Sequence, residues 1–449
     1  MSHVAPRVRV VVLNFDGGQL TLDCLDSLLA TDYPKDRLEI VLVDNGSIDD
    51  VVERVARDYL SVRVLEPLAN LGFAGGCNLG ITADGPYDYV ALINNDATVT
   101  PGWLSPLVET LEARPEIAAV SPKLLFADRY AGVDLIVPDA GAIGALDTRV
   151  LGMRLSGVRV DGLRRDGDVI LAEGFHGHEP ADTGRGEEMA SWSGKHGTIR
   201  VRIRDKTPAV VSVRLSRNDP RVVVCRSGGA EQRLEVGPRP QWVDVPVDDE
   251  FDVINNAGSN LYPHAFGGDR GFLERDRGQF DTVTETFGWC GGAVLLRRSY
   301  LDTVGTFDER LFLYYEDFDL SWRGRLRGMR YLYQPASVVR HRHAATSGEW
   351  SPVFRFHTER NRVLVAVKNA PANVAARAVA GETRRLQRAV MDHMVRRLAR
   401  LRFPRYDEPQ LRWKVWTSLM FHLPHALAHR WREPISVPRE SIRQWESAK

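Results

Sequence analysis

Glu316, Asp317 and Asp319 place three carboxylates within four positions, directly behind two aromatics, Tyr314 and Tyr315. Acidic residues at the start of a helix complement its dipole. The paired aromatics suggest a second use, a shielded pocket where a carboxylate's proton affinity is tuned for proton abstraction. Asp44 follows an apolar run at 38–43 and leads into Asn45, Gly46 and Ser47. That pattern suits hydrogen bonding to a base or ribose, and it equally suits an Asx-turn or a helix cap. Asn94-Asn95-Asp96 follows the apolar run 89–93. An acid there fits a hard divalent cation that also takes substrate phosphate oxygens, or a turn leading to the next helix. The stretch from Asn70 to Asn78 contains Gly72, Gly75 and Gly76. It reads as a loop opening a helix, where backbone amides approach phosphates, or as a plain tight turn. His341 and His343 flank Arg342 beyond a strand-like run that starts at Tyr331. Such a pair ligates metal or binds diphosphate, although a lone histidine is more often structural. Neither a GxSxG elbow nor a Cys/His zinc pattern is present.

These groups need a frame that gathers them. Near-continuous apolar runs at 8–13, 38–43, 62–65, 89–93 and 117–120 read as buried strands of a parallel sheet. They alternate with helical faces, one carrying Leu22, Leu25, Leu28 and Leu29, another Leu104, Leu107, Val108 and Leu111 behind Thr100 as N-cap and Pro101 as first helical residue. The class is an open, Rossmann-like α/β sheet, whose ligands sit at the carboxyl ends of the strands. From 151 to 247 the pattern changes to short β runs at 198–203, 209–215, 221–225 and 242–247, the mark of a small inserted β-sandwich. The α/β character resumes near Phe287, with a helix predicted over 316–326. A helical, Arg-rich region with Trp413, Trp416, Trp431 and Trp445 follows Ala370. The expected domains are 1–135, 150–250, 252–370 and 371–449.

A chain of 449 residues exceeds one ordinary domain. Its 59 basic residues are balanced by 59 acidic ones, which argues against a nucleic-acid partner. Cys24, Cys77, Cys225 and Cys290 lack metal-type spacing and read as reduced thiols of a cytoplasmic protein. A strand-like run at the very start leaves no room for a signal peptide, and no stretch is apolar for long enough to span a bilayer. The balance hides an asymmetry: from Ala370 onward 16 basic residues face 7 acidic ones, a net of +9. Arg384, Arg385, Arg388, Arg396, Arg397, Arg400 and Arg402 interleave with Leu386, Val390, Met394, Val395 and Leu398. This suits a helix lying on an anionic membrane at the inner face of the cell, or a solvated helix packed on the catalytic domain.

Jointly and in this order, Val12-Leu13-Asn14-Phe15, Asp44, Asn94-Asn95-Asp96, Phe287-Gly288-Trp289-Cys290-Gly291-Gly292, Glu316-Asp317, His341 and Glu359-Arg360-Asn361-Arg362 resemble a family 2 glycosyltransferase with a GT-A fold. The resemblance is to the rhamnosyltransferase-like branch that builds bacterial cell-surface polysaccharide, and it covers about 7–127 and 252–370. It implies donor contacts from Leu13, Asn14, Asp44, Asn45, Gly72, Asn78, Asn94, Asn95 and Asp96. It implies Mg2+ or Mn2+ held by Asp96 and His341, with His343 as the fallback. Asn94 stands where the family's DXD element has its first Asp, so more weight falls on Asp96 and the donor diphosphate. Trp289, Cys290, Gly291 and Gly292 would line the acceptor side, and Asp317, beside Glu316, would be the general base. An Arg-Asn element follows the catalytic domain in this branch, here Arg360-Asn361.

The implied activity is inverting transfer from a nucleotide-diphospho-sugar, dTDP-rhamnose ahead of UDP-sugars, to a cell-envelope glycan or lipid-linked acceptor. The alternatives are a glycan-binding or scaffold protein on a degenerate transferase fold and, last, a nucleotidyltransferase, which has no need of Glu316-Asp317. The β insert departs from the family and suits a carbohydrate-binding module, an oligomer contact or a spacer. Its Trp192 and Trp242 are either sugar platforms or core residues.

Overall fold

The computed structural model describes residues 4–141, 149–164, 168–176, 189–203, 210–247, 249–342 and 351–447; His343 lies outside them. The chain forms two compact units. One comprises Met1–Ala127, Asn255–Phe272 and Gly278–Lys449, the other Asp128–Ile254 and Leu273–Arg277.

In the first unit, β1 (Val8–Asn14), β2 (Leu38–Asp44), β3 (Val62–Leu65) and β4 (Tyr89–Asn94) run parallel. Alternate residues of β1 feed two cores. Val8, Val10 and Val12 pack with Leu22 and Leu25 of α1 (Gln19–Leu29), Val51 of α2 (Val51–Asp58) and Leu104 of α4 (Leu104–Ala113). Val11 packs with Ala74, Cys77 and Ile81 of α3 (Gly72–Ile81). Burial on both faces is why these strands show unbroken apolar runs rather than alternation. The register sets Asn14 opposite Asp44 and Leu13 opposite Asn94, so three carboxyl ends meet at one edge of the sheet.

Beyond β4 the direction changes. β5 (Ala97–Val99) and β6 (Ile117–Phe126) come next in the chain, followed much later by β7 (Ala293–Arg297) and β8 (Arg330–His341). β7 lies antiparallel between β4 and β6, and β8 runs parallel to β6. The end of β8 pairs with β5, placing His341 opposite Ala97 and therefore next to Asp96. Helix α5 (Arg298–Val304) follows β7 directly, and α6 (Glu316–Leu326) spans the predicted residues. α4 starts later than Thr100-Pro101 suggests, because residues 100–103 form a turn in which the Trp103 amide donates to the Thr100 carbonyl at 3.1 Å. That turn buries Trp103, whose Nε1 donates to Thr31 Oγ1.

The second unit is the expected all-β element. Among the described residues, nine strands form one sheet, and Val236 and Val245 from opposite ends of its order share one apolar core, so it closes on itself as a sandwich does. The strand Tyr130–Ile136 belongs to this unit rather than to the first half of the α/β domain, because its backbone pairs with Ser191–Arg202 and Arg221–Ser227. Trp192 is buried, and the Arg159 guanidinium sits 4.0 Å from the Trp242 ring centroid. Trp192 therefore serves the β unit's own packing, while Trp242 is half-buried.

The C-terminal helices are part of the first unit, not a separate domain. They are α7 (Pro352–Asn369), α8 (Ala372–Val390), α9 (Arg396–Ala399) and α10 (Asp407–Arg432). Leu419 and Ala426 of α10 share a core with Val363, Leu364 and Val367 of α7. α10 is also tied by Arg355–Glu408 and Arg412–Glu359 ion pairs.

Candidate active site

Asn14 is the hub where the strand ends meet. Its Nδ2 donates to Asp44 Oδ1 (2.7 Å) and Ser47 Oγ (3.0 Å), and its Oδ1 accepts from Thr21 Oγ1 (2.6 Å) and Asn95 Nδ2 (3.3 Å). Asp44 closes an Asx-type turn through Ser47 Oγ and the Ser47 amide. Both Asn14 and Asp44 are buried, and neither lines the cavity described below. They brace its rim, while the adjoining Leu13, Phe15 and Asn45 reach its wall.

Asn45 ties the next loop. Its Nδ2 donates to Asn70 Oδ1 (2.9 Å) and to the Gly72 carbonyl (3.1 Å), and its Oδ1 accepts from the Leu71 amide (2.8 Å). Gly72 has φ +70°, and an added Cβ would lie 2.5 Å from the Phe312 ring. Only glycine meets both demands cheaply. Asn78, expected at the donor, is instead a brace inside α3. It bonds both backbone polar groups of Phe307 and reaches Glu309, away from the cavity.

Asn94, Asn95, Asp96 and His341 all reach the same wall. Asp96 Oδ1 lies 3.0 Å from His341 Nε2, and Asn94 Nδ2 is 3.2 Å from that nitrogen. Asn255 Oδ1, 2.9 Å from Nδ1, holds the ring from behind so that Nε2 faces Asp96. This is how ligating histidines are oriented by a partner behind them. Among the described residues no group of three or more His, Cys, Asp or Glu is placed to hold a metal ion by itself. The pair fits a hard divalent cation that takes its remaining ligands from water and a diphosphate.

Across the cavity stands the start of α6. Asp317 Oδ2 accepts from the Gly291 amide (2.8 Å) and Oδ1 from its neighbour Phe318 (2.6 Å). Burial raises the Asp317 pKa to about 6, against the lowering by those two amides, with Asp269 raising it further. Glu316 is buried, and its Oε2 has no hydrogen-bond partner among the described residues. Burial, then the neighbouring Asp317, pushes its carboxyl well above the usual range. The pair therefore sets a carboxyl that burial holds back from ionising beside one that titrates at about 6. Burial likewise pushes the Cys290 thiol far up, so it lines the wall as a neutral group beside Gly291 and Gly292. Trp289 does not line the wall; it is fully buried, its ring packed edge-on against Phe307 with centroids 6.1 Å apart.

The shared cavity is about 630 Å³, within the range of ligand pockets. Phe15, Phe73, Phe312, Tyr314, Tyr315 and Phe354 give it an aromatic lining. Asn70 of the Gly-rich stretch also lines it, as do Asp269 and Asn255, which escaped the sequence reading. Asp269 ends a short hairpin strand, Phe266–Asp269, that has no apolar period to betray it.

Residues 9–132 match the model of the family described as glycosyl transferase family 2. N-acetylglucosaminyl-diphospho-decaprenol L-rhamnosyltransferase of Mycobacterium tuberculosis is 45% identical over 62 residues, 14% of this chain and 20% of that protein. Rhamnosyltransferase WbbL of Escherichia coli strain K12 is 35% identical over 95 residues, 21% of this chain and 35% of that protein. The alignments thus span about a fifth and a third of these relatives. Among solved structures, GalNAc-T7 with UDP, GalNAc and Mn2+ overlaps 96% of this chain and 59% of its own at 12% identity, with a TM-score of 0.48.

Proposed function

We propose that this chain, which carries a family 2 glycosyltransferase segment resembling rhamnosyltransferases, transfers a sugar with inversion from a nucleotide-diphospho-sugar to a cell-envelope glycan or lipid-linked acceptor. One observation carries the reading: Asp96 and His341 face the same cavity as Asp317 and Glu316. The names of its relatives favour rhamnose as the sugar transferred, and dTDP-rhamnose is the donor that the sequence resemblance implies.

In this reading Leu13, Phe15, Asn45, Asn94, Asn95 and Asp96 at the strand ends hold the nucleotide and diphosphate, with Asn14 and Asp44 bracing them from behind, and the acceptor lies against Gly291, Gly292 and α6. The acceptor hydroxyl oxygen attacks the anomeric carbon and gives its proton to Asp317. The bond from that carbon to the diphosphate oxygen breaks, and its electron pair leaves with the nucleoside diphosphate. Burial disfavours the charged form of Glu316, which limits negative charge next to the base. The aromatic lining restricts water, which would otherwise take the sugar. Asp96 and His341 would hold a Mg2+ or Mn2+ ion, whose contribution when bound is to offset charge on the leaving diphosphate.

Calorimetry of dTDP and UDP binding, with and without Mn2+, tests the donor half. Asp96→Ala is expected to remove the affinity gained from the cation. Asn255→Ala, which releases only the partner orienting His341, is expected to weaken the cation by about 10-fold or more. An undiminished cation effect in Asp96→Ala contradicts the assignment.

The reading extends to a membrane surface. No helix among the described residues is long and apolar enough to cross a membrane. The turn after α9 nevertheless exposes Leu401 (98%) and Phe403 (91%) among Arg396, Arg397, Arg400 and Arg402, and Phe421 and Trp431 are exposed on α10. Each basic residue at an anionic surface contributes about 1 kcal/mol. The full chain is expected to sediment with phosphatidylglycerol vesicles and not with phosphatidylcholine ones, and the Leu401→Asp/Phe403→Asp double variant to lose that binding. Retained binding in the double variant rejects this surface.

A further inference from the structure

Arg360 and Asn361, singled out in the sequence, have no role in the chemistry above. Both are buried in α7. Asn361 Nδ2 lies 2.8, 2.9 and 2.6 Å from the carbonyl oxygens of Leu311, Leu313 and Tyr314. Its Oδ1 accepts from Arg360 Nε (2.8 Å), which fixes which way the amide points. Arg360 Nη2 in turn donates to the carbonyls of Leu311 (2.8 Å) and Arg310 (3.2 Å). Two side chains thus collect four carbonyls from one short segment.

That segment is one the chain would not hold unaided. Phe312, Tyr314 and Tyr315 have φ of 65°, 67° and 70°, in the left-handed region that side-chain-bearing residues avoid. Each such residue costs about 1 kcal/mol or more, and three together persist only where the surroundings over-determine them. The segment also joins the two halves of the cavity. The Phe312 carbonyl accepts from the Ala74 amide (3.1 Å) at the start of α3, and the Phe312 ring fills the space that Gly72 leaves open. At its other end Tyr315 caps α6 directly before Glu316 and Asp317, and its carbonyl accepts from the Asp319 amide (2.8 Å).

We propose that Asn361, oriented by Arg360, is a positioning residue: it clamps the left-handed segment 312–315 and so sets Asp317 against the donor side. The inference rests on the reading of Asp317 as the base. Without the clamp the segment relaxes toward ordinary backbone angles, and the first turn of α6 shifts with it. A displacement near 1 Å at a reacting group costs about 100-fold in rate.

The test is the kcat of Asn361→Ala per nucleotide-binding site, so that misfolded protein drops out of the count. A loss of about 100-fold is expected. A residue that only supported the fold would lower the amount of competent enzyme and leave kcat per site unchanged. A second variant guards against general disruption. Glycine takes positive φ without strain, so in the Tyr314→Gly background the same Asn361→Ala change is expected to cost less than about 10-fold, a partial recovery of the clamp's effect. Unchanged kcat per site in Asn361→Ala, or an equal loss in both backgrounds, overturns the proposal. Asp317→Asn measured alongside separates the two readings. Full turnover there removes the base assignment and the positioning role with it, whereas its loss together with unchanged kcat in Asn361→Ala removes the positioning role alone.

Discussion

Asp317→Asn is expected to lower kcat by about 10²- to 10⁴-fold, the span a general base contributes, with nucleoside diphosphate affinity nearly unchanged. The amide has the shape of the carboxylate and can still accept from the Gly291 or Phe318 amide, but it cannot take the acceptor's proton. The wild-type pH profile carries the same claim. Asp317 is raised to about 6 by burial, among Glu316, Asp269 and the neutral Cys290 thiol. As a base it works only when ionised, so kcat should fall as pH drops through about 6 and level off above it. Burial and the neighbouring Asp317 push the Glu316 carboxyl in the same direction. In Asp317→Asn the residual rate should lose this limb. Wild-type turnover in the variant, or a profile flat through pH 6, contradicts the assignment.

The second large effect concerns stability. Lys368 is wholly buried in α7, with Nζ 2.8 Å from both Asp308 Oδ2 and Asp319 Oδ2. Asp319, equally buried in α6, also accepts from Arg323 Nε (2.9 Å) and Asn369 Nδ2 (2.8 Å). Burial alone would raise the Asp319 carboxyl, but Lys368 and Arg323 outweigh it and hold the group below the usual carboxylate range. Lys368→Met removes one cation and strands Asp308 and part of Asp319, which costs about 3–5 kcal/mol when a buried pair is broken from one side. Urea unfolding at pH 7 measures this. The sign with pH follows from the depressed folded value. The contribution of Asp319 is present above the unfolded carboxylate pKa of about 4 and is lost as pH falls through the folded one. The gap between wild type and Lys368→Met should therefore narrow on acidification. A difference below about 1 kcal/mol at pH 7 would show that the cluster does not hold α6 on α7.

Much of this arrangement was legible from local pattern. Strands buried on both faces announce themselves as unbroken apolar runs, and the start of α6 by its acidic first turn. Asn94-Asn95-Asp96 and His341 were found as separate segments, and the pairing of β5 with the end of β8 brings them into contact. What escaped depends on partners far along the chain. Asn78 looks like a loop residue facing a ligand until Phe307, 229 positions away, takes its amide. Asn14 and Asp44 have the composition of a nucleotide contact, yet the parallel register turns them toward each other. The strand Tyr130–Ile136 reads as a continuation of the first half, and only its pairing with strands later in the chain assigns it to the β unit. The left-handed run at 312–315 has no glycine to mark it, because Asn361 and Arg360 supply from a distance what glycine would supply locally.

The central claim is that one cavity joins an activated sugar to a proton acceptor. Its most direct test is release of nucleoside diphosphate from a panel of nucleotide-diphospho-sugars, with glycan and lipid-linked acceptors and a divalent cation present. The account predicts acceptor-dependent release from at least one donor, dTDP-rhamnose first, abolished in Asp317→Asn and yielding the inverted anomer. Tight nucleotide or glycan binding with no release from any donor would contradict it and leave a binding protein on a transferase fold.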